Sequence, residues 1–157
     1  MRIEYLADFP ELVPVLAKWH HNQWSYLNPG RSLASRVEEL QKYHGRRQIP
    51  ATVVAMSGDL PVGSASLIAH DMDTHMELSP WLASVFVLPA HRRKGIASAL
   101  VRRIEREAGE LGVRVLYLFT PDQEALYARL HWITISREDY RGERVVVMER
   151  KFTPGTE

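Results

Sequence analysis

The 157-residue chain contains no cysteine. That absence excludes disulfides, thiolate metal ligands and a cysteinyl covalent intermediate. No apolar run approaches the ~18 residues of a membrane span, and the first residues, Glu4 and Asp8 among them, carry no signal-peptide pattern. A soluble, cytoplasmic protein without membrane association is the expectation. Neither a Gly-x-Ser-x-Gly elbow nor a Walker glycine loop occurs, which removes the usual serine-hydrolase and P-loop signatures. The seven histidines lack His-x-x-x-His spacing, so no zinc centre is expected. Without repeats or a linker, residues 1–157 read as one domain able to bury roughly two thirds of its unfolded surface, with residues 153–157 fraying.

What the chain does contain is an uneven charge distribution. Its formal net charge is only +1, yet residues 91–114 hold seven Lys or Arg against three acids. A polyanion would be drawn to this segment. It opens with His91-Arg92-Arg93-Lys94-Gly95-Ile96-Ala97, which joins two patterns. Residues 81–88 read as a buried strand closed by Pro89. Downstream, Ile96, Leu100, Val101, Ile104, Ala108 and Leu111 recur at helical spacing, so a helix begins at or near Gly95. A helix N-terminus offers unpaired N–H groups and partial positive charge, and a glycine lets that backbone approach an anion closely. A pyrophosphate-bearing ligand suits such a site. Nucleic acid is the other polyanion, but no helix-turn-helix or aromatic RNA-binding signature accompanies the helix, whose Glu105, Glu107 and Glu110 would repel phosphates. No nucleic-acid partner is expected.

Patterning places the remaining elements. Residues 3–6 form a first strand, and Asp8-Phe9-Pro10-Glu11 reads as a capped helix start running to about Trp24. After the Asn28-Pro29-Gly30 turn, Ser32 caps a second helix that ends by Gly45. Residues 51–56 and 62–69 form an antiparallel hairpin, followed by a loop over 70–77. Residues 113–119 are almost continuously apolar, as in a strand covered on both faces. Thr120-Pro121-Asp122-Gln123 starts a short helix ending near 129–131, and residues 133–136 and 145–152 pair across Arg141-Gly142.

Strand, Arg-x-x-Gly-x-Ala and helix in this order resemble the acyl-CoA-binding motif of the GCN5-related N-acetyltransferase (GNAT) superfamily, with Arg92, Gly95 and Ala97 at the pattern's positions. The element order resembles that superfamily too: strand, two helices, three strands, helix, strand, helix, two strands. Leu126-Tyr127-Ala128-Arg129-Leu130-His131-Trp132 is similar to its Leu-Tyr-x-x-x-Gly-Phe, with His131 in place of Gly and Trp132 in place of Phe. Thr120 stands where many members carry Asn.

The resemblance implies an α/β fold with a mixed, mostly antiparallel central sheet flanked by helices. It implies an N-acetyltransferase that moves an acetyl group from acetyl-CoA to a primary amine by direct attack; a non-catalytic acyl-CoA- or partner-binding member of the fold is the alternative. Arg92, Arg93, Lys94, Gly95, Ile96 and Ala97 would hold the pyrophosphate. The backbone of Val85, Phe86 and Val87 would pair with pantetheine and polarise the thioester carbonyl. Tyr127 would assist the departing thiolate as catalytic acid or donor. Glu77 is the candidate base, with His20, His21, His70, His75, Asp71 and Asp73 as rivals. The acceptor, a small-molecule or protein amine, would meet His20, Trp24 and Tyr26, and the last hairpin with Glu138, Asp139, Tyr140 and Glu143. A monomer or homodimer is expected.

Overall fold

The computed structural model describes residues 1–152; the expected frayed tail, residues 153–157, lies outside them. Seven strands form one sheet in the order β1-β2-β3-β4-β5-β7-β6. They are β1 Arg2–Tyr5, β2 Ala51–Ser57, β3 Leu60–Ile68, β4 Trp81–Val87, β5 Val115–Thr120, β6 Ile133–Tyr140 and β7 Glu143–Lys151. Every neighbouring pair is antiparallel except β4 and β5.

Four α-helices cover the sheet: α1 Val13–Trp24, α2 Leu33–Lys42, α3 Ile96–Glu110 and α4 Glu124–Arg129. Alternation along β2 divides its side chains between the two faces. Val53 and Ala55 join Leu100, Val101 and Ile104 of α3 in the larger core, while Val54 and Met56 pack with Leu16 and Ala17 of α1 and Leu40 of α2. A third cluster, around Trp81, Tyr140 and Val147, joins the end of β3 and the start of β4 to the last hairpin. Among the described residues, no helix is long and apolar enough to cross a membrane.

The first helix does not start where its sequence signature suggests. Asp8 caps nothing; its carboxylate accepts from Arg46 Nε at 2.8 Å instead, and two 3-10 turns precede α1. The Ser32 cap does form, with Ser35 N–H donating to its hydroxyl at 3.0 Å. The last hairpin is longer than the sequence suggests because Arg141 and Gly142, at φ +50° and +83°, provide a two-residue turn whose twist matches the strands. Strand β5 alternates rather than being buried on both faces. Leu116, Leu118 and Thr120 are buried, whereas Tyr117 and Phe119 are only partly covered.

Candidate active site

Strands β4 and β5 touch only at their beginnings. Trp81 pairs with Tyr117, whose N–H donates to the Pro80 carbonyl at 3.1 Å, and beyond that point the two parallel strands separate. A bulge drives this parting. Ser64 and Ser66 of β3 face Phe86 and Ala83, so β4 carries one extra residue there, and Ser84 sits at φ +55°. Such an insertion bends and twists the strand that carries it. Residues 82–87 therefore present a strand edge with no ladder partner on the β5 side.

The gap opens into a cleft of about 800 Å³. Its floor includes Val85, Phe86 and Val87; the opposite wall includes Phe119 and Thr120 of β5 and Tyr127 of α4. At one end lies the cationic loop. Gly95, at φ +82°, is the N-cap of α3, no side chain caps the helix, and its first internal bond is Ala99 N–H to Gly95 carbonyl at 3.1 Å. The amides of Ile96, Ala97 and Ser98 thus form the free positive end of a 15-residue helix. A Cβ built on Gly95 meets nothing within 4 Å, so the backbone there faces open space.

Arg92 plays a part that its charge does not suggest. Its Nε donates to the Val87 carbonyl at 2.8 Å, and its guanidinium lies 5.7 Å from the centre of the Phe86 ring. It ties the loop to the end of β4. His91, Arg93, Gly95, Ile96 and Ala97 line the cleft with it, whereas Lys94 does not.

Tyr127 is buried on α4 among the core residues, its ring 6.1 Å from that of Trp132. Tyr127 is nonetheless one of the residues that line the cleft, and its hydroxyl has no hydrogen-bond partner among the described residues. Burial, and secondarily the charge of Asp122, pushes its pKa up, so the group stays a neutral O–H donor. Thr120 Oγ1 accepts from the N–H groups of Asp122 at 3.3 Å and Gln123 at 3.0 Å, which commits its oxygen to starting α4. His131 adopts φ +73°, the left-handed conformation that glycine takes more cheaply.

Other predicted residues scatter. Glu77 lies outside the cleft lining, exposed, with His75 Nδ1 at 3.2 Å. Its own backbone N–H and then the imidazole hold its carboxyl below the usual range. His75 in turn reaches Glu138 through Nε2 at 2.7 Å, and these two carboxylates raise its pKa. Trp24 lines the cleft; the half-exposed Tyr26 does not. His20 is fully buried beneath the site, with Nε2 2.9 Å from Ser64 Oγ and Nδ1 unpartnered among the described residues. Burial and then the Arg36 charge hold its pKa down at about 3, so it is neutral near physiological pH.

Asp71 does line the cleft, just beyond β3. Its half-buried carboxyl makes no hydrogen bond among the described residues. Burial raises its pKa to about 7, the charge of Arg36 opposing that rise and Glu39 adding to it. Arg31, Arg36 and Glu39 from the α2 region and Arg141 from the last turn share the lining. Sequence reasoning missed these four because each resembles an ordinary solvated charge. The usable signal is the position of Arg36 and Glu39 beside the apolar Val37 and Leu40 on α2.

The sequence profile of the acetyltransferase (GNAT) family matches residues 8–132. An aminoglycoside N(6')-acetyltransferase type 1 of Salmonella enteritidis is 29% identical over 125 residues, covering 73% of this chain and 83% of that protein. The crystal structure of an aminoglycoside 6'-N-acetyltransferase complexed with coenzyme A is similar with TM-score 0.75 at 19% identity, over 100% of both chains. That of a ribosomal-protein-alanine N-acetyltransferase from Brucella melitensis gives TM-score 0.73 at 20% identity, over 97% of this chain and 100% of that one. At such identities the two structures share the fold, and they come with different acceptors.

Proposed function

The chain belongs to the acetyltransferase (GNAT) family, and from that premise we propose that it transfers an acetyl group from acetyl-CoA to the amine of a small-molecule acceptor. The observation that carries this reading is the parting of β4 and β5. It brings an unpaired strand edge, an uncapped helix N-terminus and Tyr127 into the lining of one cleft.

These residues fit acetyl-CoA. The amides of residues 96–98, with Arg93 and His91 beside them, would hold the pyrophosphate, and the open space at Gly95 allows the close approach an anion needs. The edge of β4 at Val85, Phe86 and Val87 would accept the amide-bearing pantetheine arm as an added strand. When bound, acetyl-CoA supplies an acyl carbon activated by a thiolate leaving group. Tyr127 would donate a hydrogen bond as negative charge develops on that sulfur, a task for which its raised pKa keeps the proton in place. Arg92 would act by positioning, holding the loop on the end of β4.

The acceptor ammonium must lose a proton before it attacks. Of the carboxylates considered from the sequence, Asp71 lines the cleft and Glu77 does not. With a pKa of about 7, Asp71 is poised to take up that proton near neutral pH. The similarity to aminoglycoside N(6')-acetyltransferases supports a small-molecule amine as the acceptor.

Calorimetric titration with acetyl-CoA, followed by thiol-release assays on an amine panel, tests the reading. Saturable binding with release of free CoA on addition of an amine is expected. Absence of acetyl-CoA binding overturns it, and binding without turnover of any amine would favour a non-catalytic acyl-CoA-binding protein.

A further inference from the structure

We propose that the acceptor is an amine that also bears a carboxylate, an amino-acid-like zwitterion with an apolar body, rather than a polycationic sugar. The inference rests on reading the cleft as an acetyltransferase site. Its basis is the charge balance on the α2 side of the cleft, where Arg31, Arg36 and Arg141 stand with Glu39 and Asp71.

The pairing among these groups is incomplete. Arg31 and Arg36 both bond the same carboxylate, Glu39, the second at 2.8 Å. One carboxylate cannot neutralise two guanidiniums, so a positive charge is left over. Arg141 is held by Asn28 Oδ1 at 2.8 Å and by Asp73, outside the lining, at 3.0 Å. Asp71 bonds none of the three, although Arg36, Arg141 and Arg31 all act on its charge. The α2 side of the cleft thus offers one carboxylate without a bonded partner, Asp71, and two guanidiniums that share a single carboxylate, close enough for their charges to act on Asp71. An α-amino acid matches both: its ammonium faces Asp71 and its carboxylate faces the surplus guanidinium.

A polycation fits poorly. On the α2 side of the cleft several ammonium groups would meet three guanidiniums and, beside Glu39, the single unpaired carboxylate of Asp71, the other lining acid, Asp122, belonging to the α4 side; like charges brought together in a partly desolvated cleft disfavour binding. Glu138 and Asp139, acids that would help such a ligand, lie outside the lining. The lining also includes the aromatic side chains of Trp24, Tyr43, Phe86, Phe119 and Tyr140, surfaces suited to an apolar or aromatic body.

The test compares initial rates at saturating acetyl-CoA for the twenty L-α-amino acids, for their carboxamides and for kanamycin, with acetyl-CoA affinity measured by calorimetry on the same preparation. Free amino acids with apolar or aromatic side chains are expected to exceed their carboxamides at least tenfold in kcat/KM, and to exceed kanamycin. In Arg31→Gln, whose side chain is 40% exposed and so removable without unfolding, the acid-to-amide ratio is expected to fall at least threefold. Equal or better turnover of the carboxamides or of kanamycin overturns the proposal. So does a failure to acetylate any amino acid while acetyl-CoA still binds. Loss of acetyl-CoA binding itself would instead bring down the acetyltransferase reading beneath it.

Discussion

Replacing Tyr127 by phenylalanine removes the hydroxyl of a cleft-lining residue and leaves the ring packed against Trp132. If that hydroxyl serves the leaving group, kcat should fall roughly 100-fold while the Kd for acetyl-CoA changes less than about twofold. A matched loss of affinity would show the hydroxyl to be a binding group only. Asp71 makes a pH-dependent contribution of definite sign. Its folded pKa, about 7, lies above its ordinary 3.8, so the folded state binds the proton more tightly. The stability lost by ionising it is absent below about pH 4, grows as pH rises and is complete above about pH 7. Asp71→Asn should therefore be more stable than the wild type at pH 8, by about 2 kcal/mol once solvent access to the carboxyl is allowed for. The difference should vanish at pH 4 in denaturant titrations. The same variant should lose the rise of kcat/KM through pH 7. At His131 the opposite choice was made, since a left-handed φ of +73° is tolerated without glycine.

Between elements, the decisive contact is the one that sets β4 against α3. Gly63 on β3 pairs with Val87, and a Cβ added to it would stand 2.8 Å from the Phe86 carbonyl oxygen and 3.1 Å from Leu100 Cδ1. The leucine can turn away, but the carbonyl belongs to the strand that floors the cleft. Gly63→Ala is expected to cost about 2 kcal/mol by overpacking and, by shifting Phe86, to weaken acetyl-CoA binding. Chemical denaturation and calorimetry on one preparation measure both, and an unshifted Kd would separate the packing from the cleft. The bulge at Ser84 works in the same region. It bends β4 away from β5, and without that bend the ladder begun at Trp81 and Tyr117 would continue and close the site.

For the whole molecule, the cleft lies between elements from distant parts of the chain, so a ligand that fills it joins them. Acetyl-CoA at 100 times its Kd should stabilise the folded state by about 2.7 kcal/mol, which for a chain of this size raises Tm by roughly 5–10 °C. Tyr127→Phe should show the same rise, because the proposed role of its hydroxyl is in the reaction and not in binding. Thermal shifts that are absent in both proteins would count against the cofactor assignment.

The strand–loop–helix at residues 81–111 was legible in the sequence because its signals are local. An apolar run, a glycine at the helix start and an amphipathic period each act within a few residues, and all three agree. The element order followed from the same kind of signal, and so did the likeness to the acetyltransferase family. Other expectations depended on competition between distant groups. The carboxylate of Asp8 reads as a helix cap until Arg46, 38 residues on, takes it. Where Glu77 and Asp71 stand was not legible either: the loop sets Glu77 beside His75 outside the cleft lining, and the end of β3 delivers Asp71 into it. The arginines of α2 and the last turn look like solvent-facing charges in isolation. What the sequence by itself determined is the set of elements and the glycine-led start of α3, since these rest on short-range sterics and periodicity. What only the tertiary structure decided is which charges meet around the cleft, since burial and pairing depend on the packing of segments more than 100 residues apart, as where Arg141 closes on Asn28.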